Sequence, residues 1–227
     1  DVLTLVIWGV LGYGGAKLFY PLFEQFLWDI GSVDANFRGR PTPVGAGLVI
    51  YVTGLVSAGG QWWFFQEEPI GSLLPWLLLG TSTAALAGWL DDRFGEKAIK
   101  GLRGHLRALW RERKLTTGLL KAGVITAAAA VIAAAFSGGF GHWLLLTGLL
   151  VLSVNTFNLL DVRPGRAVKA FLFAFAVAAC CGSGALWAAA WAPYLGAVLA
   201  VARFELQVRS MLGDAGSNLL GMLFGVW

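Results

Sequence analysis

Apolar residues in this chain come in long unbroken blocks, with polar residues gathered between them. The blocks cover residues 2–22, 44–65, 72–90, 117–136, 142–160, 168–186 and 187–204, and a shorter one opens near Asn218. A block of about 20 residues is the length at which a helix rising 1.5 Å per residue crosses a hydrocarbon layer. The pattern predicts an all-α fold: a polytopic transmembrane helix bundle of about seven full spans plus a truncated eighth. The eighth, Asn218–Trp227, has ten residues, too few to cross, and is expected to be a span cut by the end of the chain. Position 1 is Asp rather than Met, as in a trimmed or processed chain. The first block lacks the basic flank and small-residue cleavage site of a signal peptide, so it is expected to remain as a span. No repeat or linker interrupts the pattern, and residues 1–227 are read as a single integral-membrane domain.

The polar stretches are strongly asymmetric. Residues 23–43 hold Arg38 and Arg40, residues 91–116 hold eight Lys or Arg, residues 161–169 hold Arg163, Arg166 and Lys169, and residues 203–217 hold Arg203 and Arg209. Lys17 and Lys121 lie just inside adjacent spans. The alternate loops, around Glu67-Glu68, Gly138 to His142 and Gly182-Ser183-Gly184, hold no Lys or Arg. The positive-inside bias then places the N-terminus outside and the basic loops in the cytoplasm of a bacterial-type plasma membrane. From Ala98 to Arg113, Ile99, Leu102, Leu106, Leu109 and Trp110 recur at helical spacing among basic residues. This predicts a cytoplasmic amphipathic helix at the interface. It either anchors the protein or presents a basic rim to lipid phosphate or nucleotide.

Composition changes the picture little. The chain is 57% hydrophobic and 13% charged, with a mean hydropathy of +0.70, against roughly 25% charged in soluble domains. The net charge of +4 sits beside spans, which suits membrane lipids and phosphates and speaks against nucleic acid. Cys180 and Cys181 are adjacent in an apolar block and are read as small packing residues rather than a disulfide. Ala127–Ala130, Ala133–Ala135, Gly12, Gly14-Gly15 and Gly59-Gly60 predict close helix packing, and such faces permit a homodimer.

Candidate chemistry lies at the cytoplasmic ends of the blocks. Asp91-Asp92 closes one. Two adjacent carboxylates repel and stay ionised only beside a cation or basic partners, so they form either a solvated cap near Arg93 or a site for a divalent metal such as Mg²⁺. Asn155, Asn158 and Asp161 recur every three residues on one helix face. They suit helix–helix hydrogen bonds, or a nucleotide base, a sugar or metal-bound water. Asp214 stands in Met211-Leu-Gly-Asp-Ala-Gly-Ser-Asn218, where glycines permit close phosphate approach and a helix start favours an anion. Lys121, one turn into its span, either snorkels or reaches a phosphate. Arg40-Pro-Thr-Pro-Val-Gly-Ala-Gly47 sets a rigid turn before the second span.

Together these pieces resemble the polyprenyl-phosphate N-acetylhexosamine-1-phosphate transferases, the membrane family that includes phospho-N-acetylmuramoyl-pentapeptide transferase. Pro41-Thr42-Pro43-Val44-Gly45-Ala46-Gly47 is similar to its Pro-Thr-x-Gly-Gly motif. Gly88-Trp-Leu-Asp91-Asp92-Arg93 looks like its aspartate pair, and Asn155-Thr-Phe-Asn158-Leu-Leu-Asp161 like its Asn-x-x-Asn-x-x-Asp block. Met211-Leu-Gly-Asp214-Ala-Gly-Ser217 resembles its Gly-Asp-x-Gly-Ser block. The match spans residues 36 to 224. The resemblance implies transfer of a sugar 1-phosphate from a UDP-sugar to a polyprenyl phosphate, with Mg²⁺ (or Mn²⁺) and release of UMP, in cell-wall or surface-polysaccharide biosynthesis. It implies that Asp91, Asp92 and Asp214 are catalytic, with Asp214 and Asp92 holding the metal. It also implies that Lys121, Thr42, Asn155, Asn158, Asp161, Arg163 and Arg166 bind substrate.

Two departures mark a divergent, short member. After Asp161 the family usually continues Gly-Leu-Asp-Gly, whereas Val162-Arg163-Pro164-Gly165-Arg166 follows here, which points to a more anionic donor. The further spans and His-rich loop of the family are also missing, the histidines being His105 and His142. These departures keep open a non-catalytic lipid-phosphate-binding or regulatory relative. A transporter is disfavoured, because the carboxylates cluster at one surface rather than the midplane.

Overall fold

The computed structural model describes residues 2–95, 101–181 and 185–226. Expectations for Lys97, Ala98, Ile99 and Lys100, and for the Gly182-Ser183-Gly184 loop, lie outside the described residues. The elements in chain order are α1 (Val2–Asp29), β1 (Val33–Ala35), β2 (Pro41–Pro43), α2 (Gly47–Phe64), α3 (Pro69–Phe94), α4 (Gly101–Glu112), α5 (Thr117–Phe136), α6 (Phe140–Leu160), α7 (Arg166–Cys180), α8 (Ala185–Leu206) and α9 (Gly213–Val226). The fold is the expected all-α bundle of membrane type. Helices α1, α3, α5 and α6, and residues 187–206 of α8, are long and apolar enough to cross a membrane. The blocks at 44–65 and 168–186 form shorter helices, α2 with 18 residues and α7 with 15. Apolar side chains facing outward, such as Val2, Val10 and Leu22 on α1 and Leu144, Leu149 and Leu152 on α6, suit a hydrocarbon solvent rather than water.

The final block departs from expectation. Its helix begins at Gly213, five residues before Asn218, and runs to Val226. It is enclosed rather than lipid-facing: every residue from Ala215 to Leu223 is buried, with α3 and α6 as its main neighbours. The apolar surface of this stretch is therefore covered by protein.

Small residues set the helix spacing, though not at every position expected. A Cβ on Gly12 would overlap the Pro193 carbonyl, so this glycine lets α1 approach α8 at backbone contact. Ala128, Ala129 and Ala133 are buried on α5. Gly14 and Gly59 face open space. Cys180 and Cys181, expected as packing residues, are free thiols exposed at the end of α7. Near the other end of α1, Tyr20 stacks on Phe204 with ring centroids 3.6 Å apart and hydrogen-bonds Ser210 at 2.8 Å, while Arg209 pairs with Glu24.

The hairpin β1–β2 was not foreseen beyond a rigid turn. Val33 pairs with Pro43 and Ala35 with Pro41. Its loop wraps Asn36, whose Oδ1 accepts the amides of Arg38 and Arg40. Residues 43–47 are then stitched to residues 211–212 by main-chain bonds: Met211 N–H to the Pro43 carbonyl at 2.8 Å, Gly45 and Ala46 N–H to that of Met211, and Gly47 N–H to that of Leu212. The hairpin and the start of α9 thus meet at one end of the bundle, where the polar ends of α3, α5, α6 and α8 also converge.

Candidate active site

Residue types at the start of α5 build the first half of the site. The Thr116 hydroxyl caps the helix by accepting from the Leu119 amide and is also 2.8 Å from His105 Nδ1, tying α4 to this end. Thr117 donates to Asp91 Oδ1 at 2.6 Å. Lys121, one turn further, reaches Asp91 Oδ2 at 2.6 Å and hydrogen-bonds Asp214 Oδ2. One ammonium therefore bridges carboxylates from α3 and α9, with the three side chains only 17–30% exposed.

The repulsion expected between Asp91 and Asp92 is resolved by facing them apart. Asp92 accepts from the Asp214 amide at 3.0 Å and the Ala215 amide at 3.1 Å, one with each oxygen. It caps α9 from a different helix, where free N–H groups and the positive end of the dipole favour a carboxylate. Two glycines make this possible. Gly88 lies one turn before Asp92, and a Cβ there would overlap the Asp214 carbonyl. Gly213 enters α9 at φ +72, a left-handed conformation, and its missing Cβ leaves room for Asp92 Oδ2.

The second half lies around α6 and α8. Asn158 Nδ2 donates to Asn218 Oδ1 at 2.9 Å. Asp161 caps the end of α6, and its carboxyl is pushed up to about 8. Burial is the main cause, followed by the charges of Glu205, Asp214 and Asp92, against the opposing Gly213 amide. The loop after Asp161 enters α7 through Gly165, whose amide donates to Glu205 Oε1 at 2.8 Å. Glu205 is 1% exposed. Between this loop and the hairpin opens a cleft of ≈ 400 Å³, lined by Asp34, Phe37, Asp161, Arg163, Glu205 and Asp214 among others.

The structure thus brings together Asp91, Asp92, Lys121 and Asp214, and places Asp161 and Arg163 on the adjoining cleft. It does not bring in every expected residue. The Thr42 hydroxyl is buried in the hairpin, accepting from Asn36 and donating to the Arg40 carbonyl, so its bonding capacity is used there. Asn155 is exposed on α6, two turns from Asp161. Arg166 opens α7 as an exposed residue outside the cleft lining. Glu205, Asp34 and Thr117 were missed. Thr117 could have been found, because it lies four residues before Lys121 on the same helix face. A lone Glu205 at a helix end carries no such pattern.

Among the described residues, no group of three or more His, Cys, Asp or Glu side chains is arranged to hold a metal. The donors at the corner are nevertheless hard oxygens, from Asp91, Asp214 and the remaining lone pairs of Asp92. Mg²⁺ or Mn²⁺ suits that chemistry, since Mg²⁺ needs only one or two carboxylates and completes its shell with water and substrate phosphate. Lys121 takes up one oxygen each of Asp91 and Asp214, so a metal would have to use the remaining lone pairs of Asp214, Asp91 and Asp92 beside it.

No curated protein matches the chain. Residues 74–227, two thirds of the sequence, match the family model described as glycosyl transferase family 4. That span starts within α3 and holds Asp91, Asp92, Lys121, Asp161, Glu205 and Asp214, so the corner and one wall of the cleft both fall inside it. With its long apolar helices, the chain is an integral membrane protein that belongs to glycosyl transferase family 4.

Proposed function

We propose that the protein transfers a sugar 1-phosphate, that of an N-acetylhexosamine, from a UDP-sugar to a polyprenyl phosphate and releases UMP. The observation that carries this reading is Lys121 held between Asp91 and Asp214 beside an open cleft at the N-terminus of α9. A fixed ammonium at the edge of an open cleft favours phosphate groups. In the reaction, an oxygen of the lipid phosphate forms a bond to the sugar-bearing phosphorus. The bond from that phosphorus to the bridging oxygen breaks, and UMP departs with the electron pair.

Asp91 orients Lys121 and, at the same place, can take the proton of the lipid phosphate. Lys121 offsets charge developing on the transferred phosphoryl group. Arg163 at the cleft meets the diphosphate, while Asp161 and Asn158 border the nucleotide sugar. Thr42 acts indirectly by holding the hairpin wall. Mg²⁺, or Mn²⁺ in its place, would be held by Asp214 with Asp91 or Asp92 and would neutralise the diphosphate. Residues 1–227 act as one transferase domain, with the N-terminus outside and the site on the cytoplasmic face, as the basic loops imply.

The test is transfer of labelled sugar phosphate from a panel of UDP-N-acetylhexosamines to undecaprenyl phosphate with Mg²⁺. Wild type is expected to form product, and Asp214→Asn to lose about a thousandfold or more while staying folded. Undiminished activity in Asp214→Asn would sink the reading. Binding of the lipid phosphate with no turnover of any UDP-sugar would identify a non-catalytic relative instead.

A further inference from the structure

Helix α4 carries three different faces, and the protein covers one of them. Ala108 is its one buried residue among those described, and His105 lies three positions earlier on the same side. His105 Nδ1 is 2.8 Å from the Thr116 hydroxyl, and its ring fills the space over Gly118, where a Cβ would stand 2.6 Å from it. This face seats α4 on the head of α5. The second face, Leu106 and Trp110, is left uncovered, with Trp110 81% exposed. The third is a row at four-residue spacing, Arg103, Arg107 and Arg111, all exposed and without an ion-pair partner among the described residues. The one acidic residue of α4, Glu112, is seven positions after His105 and so shares the His105 side, away from the row.

This helix sits where a membrane begins. Its 12 residues are too short to cross, and α5, which is long and apolar enough to span, starts just after it. At the boundary between acyl chains and headgroups, indole is well solvated and guanidinium groups meet lipid phosphate. Free phosphate would match the arginines but give Trp110 no apolar partner. We propose that α4 is a docking surface for anionic phospholipid, its arginine row on the headgroups and Leu106 and Trp110 in the acyl boundary, and that His105 carries this seat to the head of α5. Thr116 caps α5 through the Leu119 amide, and the same end of that helix presents Thr117 to Asp91 and Lys121 to Asp91 and Asp214. Lipid that steadies α4 therefore steadies the turn on which the corner is built. The surface lies outside the cleft, so the inference holds whichever donor the cleft takes.

The test is hydrogen–deuterium exchange of the whole chain in nanodiscs of phosphatidylcholine alone and of phosphatidylcholine with phosphatidylglycerol. In the anionic discs, the amides of α4 are expected to exchange about tenfold more slowly, and those of the first turn of α5 more slowly as well. The difference should shrink at about 0.5 M salt. The triple variant Arg103→Gln, Arg107→Gln, Arg111→Gln changes exposed side chains alone and is expected to erase it in both places. Trp110→Ser is expected to weaken it. His105→Ala is expected to keep the lipid response of α4 and lose that of the α5 head, a separation that a merely structural role for His105 would not produce. Equal exchange in neutral and anionic discs, or an unchanged response in the triple variant, overturns the proposal. Slowing of α4 by UMP or pyrophosphate in neutral discs, to the extent seen with anionic lipid, would assign the row to a soluble phosphate and overturn it too. A full response of the α5 head in folded His105→Ala would overturn the coupling. Exchange is read without any UDP-sugar, so these outcomes are separate from the failure of transfer.

Discussion

Two acidic regions lie side by side in this molecule and are treated in opposite ways. At the corner of α3, α5 and α9, every carboxylate has an internal partner. Asp91 has Thr117 and Lys121, Asp214 has Lys121, and Asp92 has two amides at the head of α9. On the wall formed by α6 and α8, Glu205 keeps one buried oxygen without a partner, and the Asp161 carboxyl is pushed up to about 8. The corner is locked by its own charges, so its geometry is set before any ligand arrives. The wall keeps an unmatched acceptor, so the protein alone does not close its electrostatics.

The contrast can be broken most severely at Lys121. Lys121→Met leaves two carboxylates facing each other without their shared cation. Transfer is expected to fall about a thousandfold, a loss typical of removing a placed charge from a transition state. Initial rates in membranes or detergent would check this, and a rate close to wild type would mean that the corner works without its ammonium.

Next in size is Asp92→Asn. The amide still offers one oxygen to the α9 head, but its NH₂ group meets a backbone N–H that also donates. Loss of about 1 kcal/mol or more is expected from the damaged cap, seen as a lower thermal unfolding midpoint. An unchanged midpoint would show that α9 does not depend on this cap.

An effect of opposite sign, confined to stability and to its pH dependence, is expected at Asp161. Its carboxyl moves from the ordinary 3.8 to about 8 on folding. The folded protein therefore keeps a proton that the unfolded chain releases above its ordinary value. Stability from this group falls as pH rises from about 4 to about 8, and is level beyond. Asp161→Asn removes that slope. The variant should gain in unfolding midpoint over wild type at pH 8 and show little difference at pH 4, measured on the same preparation. A gain that is constant with pH would assign the effect to packing.

The helices were legible in the sequence because a membrane span needs a long apolar block, and such a block has few other uses. The ends of α5 and α6 fall within two residues of the expected limits, while α1 runs on to Asp29 and α3 to Phe94. These overruns carry polar residues that hydropathy counts as loop, yet a helix end facing polar partners tolerates them. The hairpin escaped notice because its paired strands are three residues long and one begins and ends with proline, a residue poorly suited to strands. In the site, Asp91, Asp92, Asp214 and Asp161 were visible as acids interrupting apolar text. What the text could not show was their pairing. Asp92 faces a helix start 122 residues away, and the partner of Glu205 is an amide, which no sequence pattern reveals.

The stitches between residues 43–47 and residues 211–212 have a consequence of a different kind. They join main chain to main chain, from the Pro43 carbonyl to the Leu212 carbonyl. No single side-chain replacement deletes such a bond, provided the backbone keeps its path. The side chains around it can therefore change while the seam keeps the hairpin registered on the head of α9.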